Sequence, residues 1–252
     1  MMDNTRRIII VGGSSGIGNT VARDFINMGF KVGVAARSEA PLKALRDLNP
    51  DMVEYALIDV TAPDAASRLL GLIKKLGGMD TLLLASGVGF QNPALDMGKE
   101  MNMLETNVVG FARIITAAYR YYRDCPNATT PGQIAAITSV AGTKGIGVAA
   151  AYSASKRFQQ NYLEALSQLA RKQGVDIAFT DIRPGFIRTP LLDGATDYIM
   201  EMDVEYASKL IEAAVLKRKR VATVDWRWRI ITSLWSMIPS SLWTRMDIGL
   251  NT

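Results

Sequence analysis

Short apolar runs alternate with longer segments of helical period from residue 7 to about residue 224, and this rhythm restricts the fold more than any other feature of the chain. The runs are "RIIIV", "KVGVAA", "MVEYALI", "DTLLLA", "QIAAIT", "VDIAFTDI" and "RVATV". They are β-branched and aliphatic without strict alternation, which fits strands covered by helices on both faces. Strand and helix in turn is the pattern of crossover units around a parallel sheet. About six helical segments lie between the runs, the longest at residues 100–123 and 150–173. The alternation runs end to end and leaves no room for a second domain. The expected organisation is one α/β body over residues 1–225 and a tail over 226–252.

Composition removes several chemistries. The 252 residues include no His and a single Cys, Cys125. Catalysis by histidine is therefore excluded, no metal site is expected, and no internal disulfide can form. A reducing, cytoplasmic setting is the simplest one. "TRRIIIVGG" offers too short an apolar run for a signal peptide, which needs about 7–15 residues, and no stretch reaches the roughly 18 apolar residues of a membrane span.

The charge is unevenly placed. From Lys217 onward there are seven basic residues and two acidic ones, a net of +5, equal to the net charge of the whole chain. All four Trp (Trp226, Trp228, Trp235, Trp243) lie in the same stretch. A neutral body without Trp is joined to a basic, Trp-bearing tail.

The first run leads into "GGSSGIG" at residues 12–18, and "NTVARDFINMG" then reads as an amphipathic helix. A glycine turn between a first strand and a helix presents backbone N–H groups and the positive end of a helix dipole to a phosphate. Gly12 permits the turn, Gly16 allows close approach of a pyrophosphate, and Gly18 lets the helix pack on the sheet, with Ser14, Ser15 and Ile17 completing the cradle. The end of the second run, "GVAARSE", has Ala36 where an acidic residue would receive the ribose hydroxyls of NAD. Arg37 follows, suited to a 2′-phosphate. NADP(H) is expected over NAD(H).

"AAYSASKRF" sets Tyr152 and Lys156 four residues apart on one helix face. Ser139 stands just past the fifth run, where the strand ends of an open sheet meet ligands, and Asn107 lies in the long preceding helix. Delivering hydride to a carbonyl creates an alkoxide, so a proton donor of suitable pKa is needed. Tyr152 fits that role. A neighbouring ammonium from Lys156 should lower its pKa, the Ser139 hydroxyl can bind the carbonyl oxygen, and Asn107 can hold a water linking Lys156 to solvent.

With "GGSSGIG", "NVVG", Ser139, "YSASK" and "RPGFIRTP" in order, residues 6 to 225 resemble the short-chain dehydrogenase/reductases. The resemblance implies a doubly wound, Rossmann-like domain with a seven-stranded parallel sheet and helices on both faces. It also implies NAD(P)-dependent carbonyl/alcohol chemistry, with Asn107, Ser139, Tyr152 and Lys156 as a tetrad and Lys156 also holding the nicotinamide ribose. By position, Asp59 and Val60 would contact the adenine, and Pro184, Gly185, Ile187 and Thr189 would wrap the nicotinamide. Ser86 and Gly87 would line the cofactor loop. The chain departs from the family at Val11, at Leu84-Ala85-Ser86-Gly87 and at Ser14 and Ser15, where NADP-preferring members often carry a basic residue. A homodimer or homotetramer built on the two long helices is implied.

Residues 190–204, "PLLDGATDYIMEMDV", read as a substrate lid, and Leu191, Leu192, Tyr198, Met200 and Met202 with Val88 and Phe90 would form an apolar pocket mouth. A hydrophobic ketone or secondary alcohol is the expected substrate. In the tail, Trp228, Ile231, Trp235 and Ile238 share one helix face. Basic flanks and Trp fit peripheral contact with an anionic membrane; a second subunit or the substrate mouth would suit that face as well. Nucleic acid is not an expected partner. The expectation is an NADPH-dependent carbonyl reductase or alcohol dehydrogenase, the alternative a dinucleotide-binding scaffold or sensor acting through its tail.

Overall fold

The computed structural model describes residues 5–125, 128, 131–189 and 200–246. In chain order it contains β1 (Arg7–Val11), α1 (Gly16–Asn27), β2 (Lys31–Ala36), α2 (Glu39–Arg46), β3 (Val53–Leu57), α3 (Ala65–Leu76) and β4 (Thr81–Leu84). There follow α4 (Met97–Leu104), a π-helical turn (Glu105–Gly110), α5 (Phe111–Asp124), β5 (Gly132–Ile137) and α6 (Ala150–Gln173). The chain continues with β6 (Ile177–Arg183), α7 (Val204–Leu216), β7 (Val221–Thr223), α8 (Trp226–Met237) and α9 (Ser240–Trp243). Seven strands lie in the order β3-β2-β1-β4-β5-β6-β7, all parallel, as the sequence implied.

The pleat explains why these runs needed no alternation. In β1, Ile8 and Ile10 enter the core under α1, α2 and α7, while Ile9 and Val11 enter the core under α3, α5 and α6. All four are fully buried, and each such side chain contributes about 1.5–3 kcal/mol. The order reverses between β1 and β4, so their carboxyl ends splay into a crevice, the place where open α/β sheets take ligands.

The segment expected as one helix over 100–123 is interrupted. Asp96 caps α4 by accepting from the Lys99 N–H at 2.9 Å, and Glu105–Gly110 then widens into a π turn before α5 resumes. Such bulges hold one extra residue and concentrate at functional sites.

The tail packs on the body, with a face that differs from the expected one in its role. Asp225 starts α8 in a left-handed conformation (φ 73°) that few side chains tolerate. Its carboxylate accepts from the Arg227 N–H at 2.8 Å and pairs with the Arg227 guanidinium at 2.6 Å. The face of Trp228, Ile231 and Trp235 turns inward. Trp228 is 3% exposed, and an edge-to-face ladder runs from Phe186 through Trp228 and Trp235 to Trp243, with centroids 5.6, 6.2 and 5.5 Å apart. Trp243 donates its indole N–H to the Gly145 carbonyl at 2.7 Å, and Lys144 donates to the Ile238 carbonyl at 2.7 Å. This stripe therefore packs on the body, where it is removed from water, and is not the face that the helix turns outward.

Candidate active site

The glycine turn joins β1 to α1 under the crevice. Gly12 has φ +99° and Gly16 φ +50°, conformations that L residues with side chains rarely adopt. A Cβ on Gly12 would stand 2.5 Å from the Ser86 nitrogen, and one on Gly18 would collide with the Gly12 carbonyl oxygen. The turn is thus squeezed between α1 and the loop after β4. The Ser15 side chain makes no capping hydrogen bond, and first-turn N–H groups of a helix have no intrahelical acceptor. An anion is the natural complement of such an end.

Arg37 is exposed just past β2 and has no hydrogen-bond or ion-pair partner among the described residues. It does reach Asp59 electrostatically. The Asp59 carboxylate accepts from the Thr61 hydroxyl (2.7 Å) and N–H (2.9 Å), and these bonds, with a smaller contribution from Arg37, hold it below the usual carboxylate range. Val60 is buried against Gly110 of the π turn, and its carbonyl accepts from Arg113 at 2.7 Å. A glycine cradle, an unpartnered guanidinium and an ionised Asp59 along one sheet edge fit a phosphorylated dinucleotide.

On the other side of the crevice the nominated proton-transfer residues converge. Ser139 follows β5 with an extended backbone. Its hydroxyl accepts from the Ala141 N–H at 3.1 Å, donates to the Pro184 carbonyl at 3.4 Å, and is near enough to the Tyr152 phenol to act on its titration. Lys156 is 5% exposed, donates to the Ile137 carbonyl at 3.2 Å and sits 5.6 Å from the Tyr152 ring centroid. Asn107, fully buried in the π turn, donates to the Val88 carbonyl at 2.7 Å and accepts from the Val88 N–H at 3.0 Å. Gly87 fits between them: a Cβ there would stand 3.3 Å from Asn107 Oδ1 and 3.5 Å from Lys156 Nζ.

The electrostatics differ from the expectation for the tyrosine. Burial pushes the Tyr152 phenol above its usual 10, with the Ser139 hydrogen bond acting the other way. Lys156 is moved by the same cause in the opposite direction. Burial pulls it down from 10.5 to about 8, opposed by the Asp181 carboxylate. The ammonium was expected to lower the phenol; in this pocket burial raises it instead, and the opposing influence comes from Ser139 rather than from Lys156.

Several supporting residues escaped the sequence reading. Ser155 accepts from Asn107 Nδ2 at 3.1 Å and donates to the Tyr152 carbonyl at 2.7 Å. Gln159 donates to the Asn107 carbonyl at 2.9 Å, and Gln160 to the Ser139 carbonyl at 2.7 Å. Their signal was present, since three polar residues interrupt the buried face of α6 beside the Tyr and Lys. Gly89 is a further one: a Cβ there would meet the Tyr152 ring at 2.8 Å.

The segment after β6 is ordered by backbone. Met202 N–H donates to the Phe186 carbonyl at 3.0 Å, and Arg188 N–H to the Met202 carbonyl at 2.9 Å. Pro184 accepts from Val140 N–H at 3.0 Å, Ile187 is buried, and Thr189 is half-buried at the end of the described segment. Gly185 has a use that was not foreseen, as any Cβ there would collide with the Trp228 indole. Of the expected pocket mouth, Met202 is 3% exposed and packs into the core instead, because its backbone bridges Ile187. Leu191, Leu192 and Tyr198 lie outside the described residues, whereas Val88 is half-buried and Phe90 is 38% exposed. No cluster of three potential metal ligands occurs among the described residues.

A doubly wound parallel sheet carrying a glycine turn and a Ser–Tyr–Lys cluster on one crevice defines a class of oxidoreductases. The chain belongs to the short chain dehydrogenase family, whose model matches residues 6–199. It is 29% identical over 245 residues to an uncharacterized oxidoreductase of Myxococcus xanthus, covering 94% of each chain. It is also 28% identical over 216 residues to a putative ketoacyl reductase of Streptomyces coelicolor, covering 82% of this chain and 81% of the relative. Among solved structures it shares the fold of ElxO with NADP bound (TM-score 0.76, 19% identity, 90% of this chain and 99% of that one). Levodione reductase is similar to the same degree (TM-score 0.74, 20% identity, 87% and 96%).

Proposed function

We propose that the protein is an NADP(H)-dependent carbonyl reductase or alcohol dehydrogenase acting on a hydrophobic ketone or secondary alcohol. The observation that carries this reading is the meeting of the Ser139 hydroxyl, the Tyr152 phenol and the buried Lys156 amine beside the glycine turn. When bound, the dinucleotide supplies or accepts the hydride. Gly12, Ser14, Ser15, Gly16, Ile17 and Gly18 would hold its pyrophosphate, Arg37 its 2′-phosphate, Asp59 and Val60 its adenine, and Ser86, Gly87, Pro184, Gly185, Ile187 and Thr189 its nicotinamide half. ElxO, which carries NADP, supports the choice of dinucleotide.

Within that site each residue has a separate task. Ser139 donates a hydrogen bond to the substrate oxygen and so favours the negative charge that grows there. Tyr152 gives that oxygen its proton, or takes it in the reverse direction. Lys156 stabilises phenolate as the proton leaves and anchors the cofactor ribose, and Asn107, fixed by Val88 and Ser155, keeps the π turn open beside it. Half-buried Val88 and exposed Phe90 supply an apolar wall. A homodimer or homotetramer through α5 and α6 accompanies this reading, with half-buried Phe158 and Tyr162 stacked at 5.4 Å on α6.

A titration with NADPH and NADH tests the cofactor without knowledge of the substrate. Tighter binding of NADPH, abolished as a preference by Arg37→Ala, is the expected result, and a preference for NADH would overturn it. Tyr152→Phe should stop turnover of a ketone panel while leaving cofactor binding intact. Unchanged function in that variant would favour a scaffold working through the tail.

A further inference from the structure

α8 is apolar on two opposite faces, and only one of them is covered by the body. Trp228, Ile231 and Trp235 pack inward. On the opposite side Trp226, Ile230, Leu234 and Met237 recur at intervals of four, four and three residues, with exposures of 64%, 50%, 59% and 78%. Single exposed apolar residues are ordinary; an ordered stripe marks a contact surface. A surface helix ordinarily turns one apolar stripe to the core and polar residues outward, so a second, exposed stripe calls for a partner.

The surrounding charge selects that partner. Residues 226–246 contain Arg227, Arg229 and Arg245 and no acidic residue. Arg229 is exposed beside the stripe and Arg245 is exposed just beyond α9, while Arg227 is held by Asp225 at 2.6 Å. A second copy docked symmetrically would bring cation toward cation. An anionic lipid surface is complementary, taking indole and aliphatic side chains into the headgroup region and arginines onto its phosphates. No helix among the described residues is long and apolar enough to cross a membrane, so such a contact runs along one face.

We propose that the outer face of α8 docks flat on an anionic lipid surface. The helix need not leave the body to do so, because its inner face keeps its contact with Phe186 and Gly185. The stripe that faces lipid is therefore Trp226-Ile230-Leu234-Met237, and the Trp228-Trp235 face is its anchor.

Vesicle co-sedimentation of the full chain tests this, with phosphatidylcholine alone and with about 30% phosphatidylglycerol added. Pelleting is expected with the anionic vesicles, and it should weaken as salt rises. Trp emission should shift to the blue on binding, and Trp226→Phe should remove the shift. Ile230→Glu with Leu234→Glu should abolish pelleting, and the milder Arg229→Gln should weaken partitioning about fivefold. Absence of pelleting at low salt, or equal pelleting by the double variant, would overturn the proposal. So would a lipid-free dimer that the double variant splits, which would assign the stripe to a second copy. Tyr152→Phe should bind vesicles as the parent does, so this outcome is independent of the catalytic reading.

Discussion

The two walls of the crevice are built by opposite means. On the β1 side, position is set by backbone: Gly12 and Gly18 let the turn, the first helix and the loop after β4 come within contact of each other. On the β5 side, position is set by side chains. Ser155, Gln159 and Gln160 of α6 tie down the π turn and the Ser139 loop. Both walls are tight to added volume, as Gly18 and Gly89 show, but only the second should also be sensitive to lost polar atoms, and substitutions can separate the two.

Tyr152→Phe should have the largest effect on rate, a loss of about 10²–10⁴-fold in kcat, with Tm unchanged within about 2 °C. A large drop in Tm would show that the stability of the second wall also depends on that hydroxyl. Gly18→Ala should do the reverse: the collision with the Gly12 carbonyl should cost about 3 kcal/mol, read as a Tm lower by about 6–12 °C and as weaker dinucleotide binding. If Gly18→Ala leaves both untouched, the description of the first wall fails.

Lys156 sharpens the contrast, since its charge is useful and costly at once. Its folded pKa of about 8 lies below the ordinary 10.5, so the unfolded chain binds more protons between those values. Stability should rise with pH across that window, and the burial penalty below it amounts to about 3 kcal/mol. Activity that needs the ammonium should fall over the same rise. Lys156→Met should accordingly raise Tm at pH 7 while abolishing turnover.

Away from both walls, Glu212 of α7 faces Asp24 of α1, with Lys209 at 3.1 Å from Asp24 and 3.4 Å from Glu212. Burial, then the neighbouring Asp24, pushes Glu212 from 4.5 up to about 7. Its folded pKa is raised, so this stabilisation is full below pH 4.5 and is lost as pH rises through 7. Glu212→Gln should flatten that slope, by at most about 3 kcal/mol between pH 5 and 8, in denaturation series at several pH values. Smallest of all, Arg123→Ala should leave the thermal denaturation midpoint where it is in the parent, because its pair with Asp124 is exposed and screened by water.

The strands were legible because their runs are buried on both faces, and Tyr152, Lys156, Ser139 and the glycine turn were legible from spacing and place. The π turn was not. Its extra residue is held by bonds from Ser155 and Gln159, which are distant in sequence and invisible to local periodicity. The tail was half legible for another reason: its helix carries an apolar stripe on each side, and only the body's shape decides which one turns inward. The direction of the Tyr152 shift needed burial, which pattern alone does not supply.

The π turn has a consequence for how this crevice can change. One residue more in a turn rotates everything after it by about 100°, so α4 and α5 are two helices of different phase joined without a loop. The phase of α5 answers to the core through Phe111, Ile114 and Ile115, while Asn107 aims at the crevice. The joint frees one setting from the other, so the floor of the site can be retuned residue by residue without repacking the helix that carries it.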